Sequence, residues 1–163
     1  MERILTPSQI KELPLDTPVI FIAGPIQGSR EWQANASSYL ITSEKKLIVA
    51  SPRNLDHKNI QYEKQVDWET HYLRRAADNG VILFYLAKEV DHLCERAYAQ
   101  TSRFELGEWK VKHERDGANL VIGIEPGFSN ERYIRRRFSQ DCPDVPIFDN
   151  LWDACQKALE LVV

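Results

Sequence analysis

The sequence predicts an α/β fold, a doubly wound parallel sheet with helices on both faces, built as one domain over residues 1–163. Three observations predict it. Short runs that are apolar almost throughout alternate with longer stretches of helical periodicity. The runs are rich in β-branched and aromatic residues and lack the polar alternation of a half-exposed strand, as expected of strands covered on both faces. Strand-then-helix alternation, in turn, is the pattern of right-handed crossovers joining parallel neighbours.

Taken in order, Pro18–Ala23 (PVIFIA) is the first buried strand, and it stops at Gly24-Pro25. Ser29–Thr42 follows with helical spacing, Trp32, Ala36, Tyr39 and Leu40 sharing a face. Leu47–Ala50 is a second strand, stopped by Ser51-Pro52-Arg53. Tyr62–Ala77 is helical, with Val66, Glu69, Leu73 and Ala76 in register. Val81–Leu86 (VILFYL) is the clearest strand, followed by a looser charged stretch, Ala87–Gln100, and a helix over Ser102–Glu114. Asn119–Ile124 is another strand. Val145–Phe148 reads as an edge strand, where a proline is tolerated. Leu151–Val163 closes the chain as an amphipathic helix, with Asp149 or Asn150 as its N-cap.

In such a sheet the ligand crevice lies beyond the carboxyl ends of the strands, where strand order reverses. That rule selects Gly24–Arg30, Ser51–Asn54, Leu86–Gln100 and Ile124–Phe128.

Composition narrows the partners. With 21 basic against 24 acidic side chains the net charge is −3, so nothing electrostatic points to a nucleic-acid polymer or a membrane surface. The local exception, Arg132–Arg137 (RYIRRR), is either a solvated helix face or a clamp for a phosphate or a neighbouring subunit's carboxylates. Cys94, Cys142 and Cys155 are odd in number and widely spaced, which argues against a disulfide framework or zinc site and suits a reducing cytoplasm. His57, His71, His92 and His113 show no metal-binding spacing, and no metal or other cofactor is expected. The opening residues are too polar and acidic for a signal peptide, and no apolar run approaches the roughly 20 residues of a membrane span.

Three segments could carry chemistry. Gly24-Pro25-Ile26-Gln27-Gly28-Ser29 lies between a strand and a helix, where glycines let the backbone approach a ligand. It is neither GxGxxG nor a P-loop, and a plain structural turn is the competing reading. In Gln65-Val66-Asp67-Trp68-Glu69 the two carboxylates cannot share a helix face. Glu69 falls in register with the apolar side, where a carboxylate is costly unless paired or hydrogen-bonded, with Arg74 or Arg103 as the bland partners. In Thr101–Gly107 (TSRFELG), Thr101 or Ser102 caps a helix and Glu105 completes a capping box with Ser102. The sharper alternative is that Glu105, with Gly107 leaving room one turn on, meets a ligand at the sheet's edge. A carboxylate there can form a covalent intermediate with a sugar.

The ordered set FIAGPI with Trp32, Ser51-Pro52-Arg53, Gln65–Glu69 with Leu73, VILFYL, TSRFELG and Leu120–Gly123 resembles the nucleoside 2-deoxyribosyltransferase superfamily, in particular its deoxyribosyltransferase-like branch, from about residue 18 to about residue 138. The resemblance implies a flavodoxin-like fold and an enzyme that cleaves the N-glycosidic bond of 2′-deoxynucleosides or their 5′-monophosphates, passing deoxyribose to another base or to water. It implies Glu105 as the nucleophile, since Glu105-Leu106-Gly107 matches the family's E-[LIM]-G motif. Glu69 falls at the second carboxylate, usually an Asp, with Asp67 in reserve. Gly24–Ser29 maps onto the sugar or phosphate loop, with Gln27 and Ser29 as donors. The tyrosine that often touches the nucleophile has no counterpart at Ile20–Ile22, leaving Tyr85 or Tyr98 to supply it. Arg53, Thr101 and Ser102 join the expected substrate contacts, and Trp32 or Trp68 is expected either to line the pocket or to be plain core. A homo-oligomer is also implied, with contact at Arg132–Arg137 or the C-terminal helix. Two other functions stay open: an N-glycosidase acting on NAD or a modified nucleotide, and a non-catalytic nucleotide-binding module.

Overall fold

The computed structural model describes residues 2–53 and 60–163; Asn54 and His57 therefore lie outside the described residues. Among those described, six parallel strands and five helices form one α/β domain. In chain order they are β1 (Ile4–Leu5), β2 (Val19–Ala23), α1 (Gln33–Ile41), β3 (Ile48–Ala50), α2 (Tyr62–Asp78), β4 (Gly80–Leu86), α3 (Gln100–Asp116), β5 (Leu120–Ile124), α4 (Glu131–Asp141), β6 (Ile147–Phe148) and α5 (Leu151–Leu161).

Across the sheet the order is β1-β3-β2-β4-β5-β6. Setting aside the short edge strand β1, this is the 2-1-3-4-5 order of the flavodoxin-like fold. The registers are parallel throughout, Phe21 lying opposite Ala50 on one side and Ile82 on the other. The order reverses between β2 and β4, so their carboxyl ends flank the crevice.

Strand pleating divides the core in two. Val19, Phe21, Ala23, Ile82, Phe84 and Leu86 point to the side covered by α2, α3 and α4, with Trp68, Tyr72 and Phe128. Ile20, Ile22, Val81, Leu83 and Tyr85 point to the side covered by α1 and α5, with Trp32, Leu40 and Cys155. Both faces of β2 and β4 are thus dry, which is why their sequences carry no polar alternation.

Most elements match their predicted spans within a few residues; helix α4 has no predicted span beyond the reading of Arg132–Arg137 as a solvated helix face, and three further differences have physical causes. The helix predicted from Ser29 begins only at Gln33, because Ser29 forms an isolated antiparallel bridge with Glu89. The strand Ile4–Leu5 escapes the sequence reading because it is two residues long and one of them is only half-buried. Helix α3 begins earlier than Ser102, at Gln100. Its N-cap is Ala99 in a left-handed conformation, with no side-chain cap. The predicted capping box is absent, and Glu105 lies in the second turn. At the chain's end, Asn150 caps α5 as expected, its side-chain oxygen accepting from the Asp153 N–H at 2.9 Å.

Arg132–Arg137 occupies α4 as a mostly solvated face. Arg135 pairs with Glu131 and Asp149, and Arg137 with Asp141. Among the described residues no helix is long and apolar enough to cross a membrane. Cys94, Cys142 and Cys155 are all free thiols.

Candidate active site

A cavity of about 600 Å³ opens at the carboxyl ends of β2, β3 and β4, on the side of α2 and α3. Its volume is in the range of small-molecule sites. Four of its walls come from segments picked from sequence: Gly24–Gln27 after β2, Pro52 and Arg53 after β3, the β4–α3 loop, and the start of α3.

The β2 loop is held by its own carbonyls. The Pro25 oxygen accepts from Ser29 Oγ at 2.9 Å, Trp32 Nε1 at 2.9 Å and Gln33 Nε2 at 3.0 Å. The Gly28 oxygen accepts from the backbone of Val90 at 2.8 Å and Asp91 at 3.1 Å, tying this loop to the one after β4. Both glycines are required here. A Cβ on Gly24 would sit 2.1 Å from the Tyr85 oxygen, and one on Gly28, at φ +81°, would sit 2.7 Å from the Asp91 oxygen. The loop is therefore a braced ligand wall, both structural turn and cavity lining.

Gln33 has a second bond: its Oε1 accepts from Arg53 Nη1 at 3.2 Å. This amide is almost wholly buried, yet it connects the β2 loop to the only cation reaching the cavity from the β3 side among the described residues. Across the cavity, Arg96 donates to Gln27 Oε1 at 2.5 Å.

Helix α2 presents Tyr62, Gln65, Val66 and Glu69 to the cavity, a stripe at i, i+3, i+4 and i+7. Helix α3 presents Gln100, Thr101, Ser102 and Glu105. The two half-buried carboxylates, Glu69 and Glu105, thus face one space. Glu69 has neither Arg74 nor Arg103 as partner; it accepts from Gln65 Nε2 at 3.0 Å. Arg103 instead donates to the Tyr98 oxygen and to Ser129.

Burial raises the pKa of both acids. For Glu69 the bond from Gln65 opposes that rise. For Glu105 burial comes first, the negative charge of Glu69 second and Glu108 third, together pushing it up to about 8. The helix N-terminus does not reverse this, because its field fades beyond the first turn and Glu105 is in the second. With the Glu69 charge adding to the effect of burial, Glu105 is the later of the two to ionise.

Several predicted site residues stand elsewhere. Asp67 is exposed on the other side of α2, in a shallow hollow with His71, Arg74 and Asp78, because two helical positions separate it from Glu69 by about half a turn. Trp68 is fully buried against Phe21 and Tyr72 and is core. Trp32 is buried against Tyr85 and acts on the site through its bond to Pro25. Gly28 and Ser29 brace the loop from outside the cavity lining. Gly107 is exposed with open space where a side chain would be, so it clears no room for a ligand. Of the two candidate tyrosines, Tyr98 lines the cavity, its hydroxyl donating to the Ala87 oxygen at 2.5 Å. Ile124–Phe128 does not reach the cavity; Glu125 accepts from the Lys88 N–H and pairs with Arg30.

Gln65 stands in a motif quoted from the sequence but with no role of its own, and Tyr62, Gln33 and Arg96 were not singled out from sequence. The helical stripe from Tyr62 to Glu69 carried a signal for the first two; Gln33 and Arg96 carried none, since their roles depend on contacts between segments distant along the chain.

The fold and cavity define an α/β protein of flavodoxin-like topology with a paired-carboxylate pocket at its switch point. No protein-family model matches the chain, and no curated protein matches it in sequence. Among the described residues no three His, Cys, Asp or Glu side chains group so as to hold a metal ion.

Proposed function

We propose that the protein cleaves the N-glycosidic bond of 2′-deoxynucleosides or their 5′-monophosphates and transfers the deoxyribosyl group to another base or to water. The observation that carries this reading is the meeting of Glu69 and Glu105, from different helices, in one cavity at the sheet's switch point. Two carboxylates of unlike environment are what glycosidic cleavage needs: one as nucleophile, one to manage the leaving group's proton.

In the proposed reaction a Glu105 oxygen attacks C1′ as the C1′–N bond breaks, and the bonding electrons leave with the base. Glu69 delivers a proton to that base. The acceptor base or water then attacks C1′, gives its proton to Glu69, and releases the Glu105 carboxylate. Each turnover needs one proton on the pair, carried by Glu69 while Glu105 is the anion. The free protein holds that proton on Glu105, so substrate binding has to shift it across the pair. The missing 2′-oxygen makes the oxocarbenium-like transition state easier to reach, so the site needs few further groups.

The reading includes a cytoplasmic homo-oligomer. The three free thiols suit the compartment, and Trp152, half-exposed on α5, gives the C-terminal helix an apolar contact surface.

The deciding experiment incubates the protein with each deoxynucleoside and deoxynucleotide, with and without a free acceptor base, and follows released base by chromatography. Turnover in the parent and a loss of at least about a thousandfold in Glu105→Gln, with the fold retained, is the expected result. Undiminished turnover in Glu105→Gln removes Glu105 from the nucleophile's role.

A further inference from the structure

The α2 stripe divides its chemistry by position. Tyr62 and Val66 are large apolar side chains, 78% and 39% exposed, left in solvent beside the cavity they line. Gln65 and Glu69 alternate with them as an amide and a carboxyl group. A surface half apolar and half hydrogen-bonding, carried on one rigid helix, suits a planar heteroaromatic ring: its face against Tyr62 and Val66, its edge toward Gln65 and Glu69.

The bond between the last two sets the polarity of that edge. Gln65 gives an amide N–H to Glu69 Oε1 at 3.0 Å. Among the described residues its amide oxygen accepts no hydrogen bond. With the amide held this way, Gln65 offers an acceptor. The carboxyl of Glu69, protonated as the proposed reaction requires, offers a donor from its other oxygen. An adjacent donor and acceptor match a base edge that presents a ring-nitrogen acceptor beside an exocyclic amino donor. Cytosine (N3 and the 4-amino group) and adenine (N1 or N7 and the 6-amino group) have such an edge. With the ring nitrogen placed at Glu69 to receive its proton, uracil, thymine and hypoxanthine set an N–H against that donor or a carbonyl against the Gln65 acceptor.

We infer that Gln65 is the specificity-determining residue of the base subsite, and that it selects substrates whose base carries an exocyclic amino group. This rests on the glycosidic reading of the same cavity, and it assigns to that reading its substrate class.

The test compares pairs that differ at this edge: 2′-deoxycytidine with 2′-deoxyuridine, and 2′-deoxyadenosine with 2′-deoxyinosine, each also as the 5′-monophosphate. Turnover is measured as kcat/KM in the parent and in Gln65→Met, which keeps the side chain's length and helix preference. Binding of the free bases, cytosine against uracil and adenine against hypoxanthine, which carry the same edges and no bond to cleave, is measured by calorimetry on the parent and on Gln65→Met, so that selectivity is read without turnover. The amino member of each pair should be preferred by about tenfold or more, and Gln65→Met should bring the ratio to within about threefold of unity. Equal or stronger binding of the keto member, or a preference that survives Gln65→Met intact, overturns the inference. Turnover without base selectivity overturns it while leaving the proposed function standing. Selective binding without turnover does the opposite.

Discussion

Glu69 and Glu105 stand on neighbouring helices, α2 and α3, and face one cavity, where the charge of the first helps hold the proton on the second. Among the described residues neither is paired with a cation, and the one hydrogen bond into the pair comes from Gln65. An arrangement that leaves two half-buried acids without a counter-charge costs stability in the ionised form, and that cost can be measured apart from any activity.

The first prediction concerns stability against pH. Both carboxyl groups have folded pKa values above their unfolded ones, so their contribution is fully present below the unfolded values and is lost as pH rises. For Glu105 the loss runs from about pH 4.5 to about 8. Glu105→Gln removes this penalty. Its stability relative to the parent, from denaturant titrations at a series of pH values, should grow across that window and level off above it. The gain at the plateau should be on the order of 2 kcal/mol, below the full value of the shift because the site is partly open to water. A difference that stays flat from pH 5 to 9 contradicts the perturbed pair.

The pH dependence of catalysis follows from the same proton count. The reaction needs one proton on the pair, so kcat/KM should fall as pH rises through about 8, where Glu105 loses the last one. On the acid side it should fall where Glu69 gains the second proton, above the ordinary carboxylate range because burial raises it. A rate that keeps climbing beyond pH 9 would show that the doubly ionised pair is the reactive form.

Asp67 and Glu69 separate cleanly by mutation. Glu69→Gln should lower kcat/KM by about a hundredfold or more, the scale of proton transfer to a leaving group. Asp67→Asn, on the opposite side of α2, should stay within about twofold of the parent, as a surface change does. Equal losses in both variants would reopen the assignment of the second carboxylate.

Gln33 tests the brace beneath the β2 loop. Its amide lies between the Pro25 oxygen and Arg53 and is almost wholly buried. Gln33→Leu removes a donor from Pro25 and the acceptor from Arg53. The expected cost is about 1–3 kcal/mol in denaturant unfolding, with KM raised more than kcat is lowered. Unchanged stability and KM would mean that the Trp32 and Ser29 bonds hold the loop alone.

What the sequence by itself determined is the layer architecture and the address of the site. Unbroken apolar runs at Val19–Ala23 and Val81–Leu86 can be satisfied only by cover on both faces, and strands separated by helices must run parallel, so the crevice has to open at their carboxyl ends. Glu69 was also legible, because a carboxylate in register with Leu73 and Ala76 is costly and calls for a reason. The tertiary structure alone decided which neighbours meet. A helical period places Glu69 and Asp67 on different faces but does not say which face looks into a cavity. It cannot say that Trp68 seals against Phe21 while Tyr62 and Gln65 reach the opening, nor that Ala99, in a left-handed turn, starts α3 early and moves Glu105 beyond the helix end's field. Those outcomes depend on packing between segments far apart in the chain, and the effect of one carboxyl's charge on the other's proton exists only once the fold has brought both to the same space.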